Sequence, residues 1–233
     1  MNVITMKVTL RGTKPPVWRR LAMLGTMTLG DLHRAIQAAM GWHDSHLHAF
    51  DIGGEEFGDP GTVDDVSDEN RVTLNGLLRS PVVRFTYTYD FGDNWEHTVA
   101  FEKSEPAAEG AAYPICTTGK RNCPPEDCGG VCGYQELLAI LADPAHPDHA
   151  EYTEQIGDGF DSDEFDLELA NTDKLTYRQA SGREQLRDVP LIKYEARLTD
   201  VVVGGKIREV TPPVRVFFVM PEKLAGVSLK RPV

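Results

Sequence analysis

Between Val83 and Phe101 two runs of alternating residues face each other across a five-residue turn, a pattern that no helix accommodates. Val83, Phe85, Tyr87 and Tyr89 share one side of the first run, with Arg84, Thr86 and Thr88 on the other. Asp90-Phe91-Gly92-Asp93-Asn94 supplies turn chemistry. Trp95, His97, Val99 and Phe101 then line one side of the returning run. The period of two predicts a β-hairpin with an aromatic inner face.

Other segments carry their own periods. Ile4, Met6, Val8 and Leu10 alternate with polar residues and predict a half-buried strand. Pro15-Pro16 enforces an extended link to Val17 through Leu21. At Thr28 the period lengthens: Leu29, Leu32, Ile36 and Met40 share a helical face, Thr28 and Asp31 form a capping-box variant, and Gly41 is the stop. A helix over 29–40 follows. Residues 46–52 alternate as a strand, 53–70 read as a solvated acidic loop, and 74–78 as a short helix. The Pro-, Gly- and Cys-containing stretch 103–132 reads as loop, and Tyr134 to Leu141 as a helix closed by Asp143-Pro144. Residues 145–170 read as loop followed by a short helix starting at Asp161 or Ser162. Strands separated by isolated helices, without regular βαβ units, predict an α+β fold with a mainly antiparallel sheet and a few packed helices. Composition shifts after Asn171, so the chain divides into a domain over 1–171 and a C-terminal extension over 172–233. Strand-like runs at Val201–Val203 and Val214–Val219 suggest a β-rich or flexible appendage there.

The 233 residues carry a net charge of −12, and its distribution limits the partners. Residues 51–70 and 151–168 together hold −16, leaving +4 for everything else. Such a field repels nucleic acid, whose recognition relies on Lys and Arg displacing counterions from phosphates. The patches Arg11, Lys14, Arg19, Arg20 and Arg178, Arg183, Arg187 read as solvated surface charge, and allow at most an edge contact with DNA. With no run of about 18 apolar residues and no apolar leader, no membrane partner and a cytoplasmic location are expected.

Specific motifs point to a family. Trp18-Arg19-Arg20, then Thr28-Leu29-x-x-Leu32-His33-x-x-Ile36-Gln37-x-x-Met40-Gly41-Trp42 and His46-Leu47-His48-x-Phe50 form the first group. Tyr87-x-Tyr89-Asp90-Phe91-Gly92-Asp93-x-Trp95-x-His97 is the second. The third is Cys116-x-x-Gly119-x-Arg121-x-Cys123-Pro124-Pro125-Glu126-Asp127-Cys128-Gly129-Gly130, followed by Gly133-Tyr134. Across residues 6–171 the chain resembles the Ri-plasmid ORF-three-like family, also labelled a TnpR-like passenger of insertion elements. The resemblance implies an α+β fold and an association with mobile elements, and transfers no activity. Ile156, before Gly157, stands where that family usually has Trp. The label suggests a resolvase, but a recombinase needs a nucleophilic Ser or Tyr among phosphate-holding arginines, and no such constellation is present.

Candidate site residues follow from chemistry and spacing. Cys116, Cys123, Cys128 and Cys132 stand at C-x6-C-x4-C-x3-C, and in a reducing compartment four thiolates could satisfy tetrahedral zinc, although paired C-x2-C spacing is absent. Buried or free thiols are the alternative. His97 shares a strand face with Trp95 and Val99, which favours a hydrogen-bonded core histidine over a ligand or acid–base group. Asp90 and Asp93 bracket the turn and by default cap its N–H groups. His46 and His48 stand at i,i+2, the spacing of some metal sites, but flanking Leu47 and Ile52 favour a structural role. The acidic run Asp158 to Glu168 lacks the Gly and residue order of a calcium loop. The expected function is a non-catalytic binding or interaction module for an unknown protein or small molecule. Its ligand surface is expected where the hairpin turn meets the Cys116–Gly130 loop, drawing on Trp18, Arg19, Asp90, Asp93, Trp95 and His97. The alternatives are a metal-dependent hydrolase using His97 and the cysteines, with Asp90 or Asp93 as base, and a weak DNA-binding accessory protein.

Overall fold

A computed structural model describes residues 1–80, 82–157 and 160–171, together with the backbone of 191–203 and 206–221. It has two units, Met1–Gln179 and Ala180–Val233. In the second, β9 (Leu191–Val203) pairs antiparallel with β10 (Lys206–Pro221). The remainder of the expected extension lies outside the described residues.

The first unit is α+β, built on an eight-stranded sheet. Its strands are β1 (Asn2–Leu10), β2 (Trp18–Leu24), β3 (His48–Ile52), β4 (Glu55–Gly58), β5 (Ser67–Asp68), β6 (Arg84–Tyr89), β7 (Trp95–Pro106) and β8 (Ile115–Lys120). They lie in the order β5-β4-β3-β6-β7-β1-β2-β8, antiparallel except where β4 meets β5. The expected hairpin is β6–β7, with Tyr87 opposite His97 and Tyr89 opposite Trp95. Ile4, Met6, Val8 and Leu10 of β1 are buried.

Helix α1 (Leu29–Met40) covers the apolar face, and its limits are those that the sequence predicts. Thr28 accepts the Asp31 N–H, Asp31 accepts the Thr28 N–H, and Gly41 closes the helix at φ 85°. Leu29, Leu32 and Ile36 are all but inaccessible, within one core shared with β1, β2 and the hairpin. α2 (Leu74–Leu78) is capped by Thr73. α3 (Gly130–Ala142) begins earlier than expected, and α4 (His149–Ile156) follows it.

Several expectations need correction. Residues 53–70 are not one solvated loop: Gly53 and Gly54, both at positive φ, turn the chain from β3 into β4, and 69–71 form a short 3₁₀ turn. Glu69 of that turn is buried. Within 103–132, β7 runs on to Pro106 and β8 forms the sheet edge against β2. The helix of the 145–170 segment is α4, not a helix from Asp161 or Ser162. Residues 161–163 instead fold back, where Ser162 and Asp163 bind the Arg121 guanidinium. Val83 precedes the paired part of β6 and is exposed.

The outer sheet face is polar. Arg11 reaches Thr86, Glu96 and Thr98, while Arg20 binds both oxygens of Glu102. Trp18 lies under Lys7 and Arg20, with the ammonium 4.6 Å and the guanidinium 5.3 Å from its ring. No helix among the described residues is long and apolar enough to cross a membrane.

If the Thr28–Asp31 box sets where α1 begins, Thr28→Ala lowers unfolding free energy by about 1 kcal/mol in a urea titration.

Candidate functional site

The hairpin buries two tyrosine hydroxyls, and each must find a partner away from water. Tyr87 Oη receives a hydrogen bond from Gln37 Nε2 at 2.9 Å and lies 2.8 Å from His33 Nδ1. With Gln37 donating, the hydroxyl proton goes to His33 Nδ1, and the other imidazole nitrogen then carries its hydrogen toward Asp44 Oδ1 at 2.8 Å. His33 is therefore neutral, in line with burial lowering its pKa against the opposing pull of Asp44. The Asp44 N–H closes the circuit on Gln37 Oε1. Tyr89 Oη accepts the N–H groups of Ser45 and His46 and donates to Glu126 Oε1 at 2.5 Å. Burial, and then Glu126, raise its pKa.

A second imidazole lies on the first. The His33 and His48 rings stack with centroids 3.4 Å apart and planes within 2°. His48 Nε2 is 2.8 Å from Glu69 Oε2, and Glu69 packs against Gly30 in the first turn of α1, where the helix dipole favours a carboxylate. Ligand atoms of His33, Asp44 and His48 all lie within 4.8 Å of one another. A second such group joins His46, Asp90 and Asp127. His46 Nδ1 is 3.6 Å from Asp90 Oδ2, and its Nε2 is 3.2 Å from Asp127 Oδ1 without hydrogen-bond alignment. His33, Asp44, His46, His48, Glu69 and Asp90 border one open cleft of about 690 Å³. Sequence spacing does not reveal this set, because His33 is on α1, Asp44 on the following loop and Glu69 on the 3₁₀ turn. The available signal was the His46–His48 pair together with His33 one helix earlier.

The hairpin turn and the thiol-bearing loop do meet. Asp93 Oδ2 accepts the Gly129 N–H at 3.1 Å, at the start of α3. Gly130 is so close to the Asp93 carbonyl that a Cβ there would lie 2.4 Å from its oxygen. Trp42 Nε1 donates to the Pro124 carbonyl. Asp90 sits at φ 56° and accepts the Gly92 and Asp93 N–H groups, so both aspartates cap backbone as well as facing this junction.

The structure does not gather the other expected site residues around that turn. Trp95 and His97 are fully buried core side chains. Trp18 and Arg19 point to opposite faces of β2: Trp18 lies on the outer face, while Arg19 is buried beneath Phe165. The four cysteines form no cluster of three ligand atoms, with one another or with His97. Cys116 and Cys123 are buried, Cys128 is half-buried and Cys132 is exposed. Burial pushes the Cys123 and Cys128 thiols up to about 12, which makes them poor nucleophiles. Of the N-terminal cations weighed for DNA, Arg11 and Arg20 are ion-paired and Arg19 is inside.

A second cavity, of about 730 Å³, lies among the end of α1, the 122–128 loop and α4. Arg19, Trp42, Cys123, Leu137, Ile156 and Phe165 are among its walls.

These features define an α+β domain with a histidine–carboxylate cleft and a second cavity lined in part by Arg19. The chain belongs to the family described as plasmid pRiA4b ORF-3-like protein, whose model matches residues 2–169. It is 42% identical over 182 residues to the uncharacterized protein y4hQ of Sinorhizobium fredii, covering 75% of this chain and 89% of that one. The crystal structure of a protein of unknown function, MM3350 from Methanosarcina mazei Go1, superposes with a TM-score of 0.67 at 40% identity. That match covers 72% of this chain and 96% of the other.

His97 gives the core a measurable pH dependence. Burial lowers its pKa from 6.5 to about 4. Between those values the unfolded chain takes up a proton that the folded chain refuses, so stability is intact above the first and falls as pH drops toward the second. The loss attributable to this group is about 3 kcal/mol, and His97→Gln should flatten that part of the profile in urea titrations compared across this range.

Proposed function

We propose that this protein is a binding module organised around a divalent transition-metal ion in the histidine cleft, with His33, His48 and Asp44 as ligands and Glu69 beside them. The observation that carries the reading is the stacked imidazole pair, with each Nε2 2.8 Å from a carboxylate oxygen. Imidazole and carboxylate together suit zinc and its neighbours, and a dication balances the two carboxylates. Tyr87 Oη holds the His33 ring at Nδ1. A metal bound at Nε2 would displace the hydrogen that faces Asp44 and shift the tautomer so that Nδ1 donates to the Tyr87 oxygen, the support expected behind a metal-bound histidine. The open cleft gives a further ligand access to the ion. This moves the expected zinc from the cysteine loop to the histidines, and keeps a binding rather than a catalytic role.

One observation favours a second reading, a metal-dependent hydrolase. The His46–Asp90 pair borders the same cleft and could accept a proton from metal-bound water.

Calorimetric titration with zinc separates these readings from the thiol alternative. The expected result is one equivalent bound by the full chain, and zinc at about 100 times its Kd stabilising the fold by about 2.7 kcal/mol. His48→Ala should abolish that stabilisation, whereas Cys123→Ser and Cys132→Ser should leave it intact. No stoichiometric binding, or loss on cysteine substitution alone, would overturn the proposal. Turnover of bis(nitrophenyl) phosphate by the zinc-loaded protein, dependent on His46, would favour the hydrolase.

A further inference from the structure

Arg19 is a buried cation with no anion beside it among the described residues. Only 3% of it is exposed. Its Nε donates to the Ala39 carbonyl at the end of α1, and its Nη1 to the carbonyls of Trp18, Lys120 and Arg121. Its guanidinium carbon stacks 4.4 Å from the centre of the Phe165 ring. Gly119 makes this possible, because a Cβ there would lie 2.7 Å from Phe165 and 2.9 Å from Arg19. Among the described residues no carboxylate is within ion-pair distance of Arg19, and its hydrogen bonds there all come from Nε and Nη1.

These bonds do part of what a buried guanidinium requires. The carbonyl end of α1 offers about half a unit of negative charge. Cys116 and Cys123 lie nearby, but burial holds both as neutral thiols near neutral pH. Among the described residues no anion balances the remaining charge, and an uncompensated buried ion is costly. Arg19 also lines the cavity of about 730 Å³, whose other walls include Trp42, Leu137, Ile156 and Phe165.

We infer that this cavity is a binding site for a small organic monocarboxylate, with Arg19 Nη2 donating to the carboxylate and the aromatic and aliphatic walls enclosing an apolar body. The acidic side chains that also border the cavity, Glu126, Asp127, Glu164 and Asp166, fix the class of ligand. Glu126 is committed to Tyr89 and the His43 N–H, and Asp166 caps the Leu169 N–H. Asp127, Glu164 and Asp166 are exposed, and repel phosphates and other polyanions. One negative charge, carried in by an apolar group, satisfies Arg19 without crowding those carboxylates.

The test is titration of the full chain with phenylacetate, phenylacetamide and inorganic phosphate, followed by calorimetry or NMR. Phenylacetate should saturate at one site. Phenylacetamide, which has the shape without the charge, should bind about tenfold more weakly or worse, as loss of a charge-assisted hydrogen bond predicts. Phosphate should show no saturable binding in the same range. Ile156→Trp, which fills the cavity without touching Arg19, should remove phenylacetate binding and leave zinc binding unchanged, so this site and the histidine cleft fail independently. Equal binding of acid and amide, equal binding of phosphate, or no saturable binding of phenylacetate would each overturn the inference.

Discussion

Two hydroxyl groups hidden from water set the plan of this domain. Tyr87 and Tyr89 project from β6 into the core, and an unpaired phenol there would cost about as much as a good hydrogen bond gains. Each therefore recruits partners from elsewhere in the chain. Tyr87 draws in Gln37 and His33 of α1, which fixes how the helix sits on the sheet. Tyr89 draws in the 45–46 backbone and Glu126, which anchors the thiol-bearing loop across 37 residues. A replacement that removed the Tyr87 hydroxyl would leave Gln37 Nε2 without this partner in the core.

Elements whose period is set by burial on one side were legible in the sequence. The β6–β7 hairpin, β1 and α1 all alternate or cycle cleanly, because one face of each is packed and the other is wet. The ends of α1 were readable to the residue, since Thr28, Asp31 and Gly41 carry side-chain and φ signals that belong to helix termini. Strands at or next to the sheet edges were not legible. β8 holds only Cys116 in the core, and half of β4 is acidic, so neither shows an apolar rhythm. For β4 the signal was the Gly53-Gly54 pair, a two-residue turn suited to a hairpin. α4 buries no residue fully and has no side-chain cap, which removes both signals by which a short helix is recognised.

The candidate site was legible only in part, for a related reason. Contact between Asp93 and Gly129 followed from two Gly- and Asp-rich segments that both needed a rigid neighbour. Arg19 was named both in a basic patch and beside Trp18 on the expected ligand surface, whereas alternation along β2 puts the two on opposite faces and Arg19 inside. His33 and Glu69 were invisible because one sits in a helix and the other in an acidic stretch that reads as solvated. Their pairing with Asp44 and His48 depends on where α1 and the 3₁₀ turn cross, which no local pattern records. The cysteines, prominent by number, turn out to be scattered between core and surface.

On the function proposed, the stacked histidines rather than the cysteine loop would hold the metal. Visible and near-ultraviolet absorption of the cobalt(II)-loaded protein tests it most directly, because thiolate and imidazole ligands leave different marks on that ion. The account predicts weak visible bands from nitrogen and oxygen ligands with no intense sulfur-to-metal charge-transfer band in the near ultraviolet. A strong charge-transfer band, stoichiometric with cobalt, would contradict it.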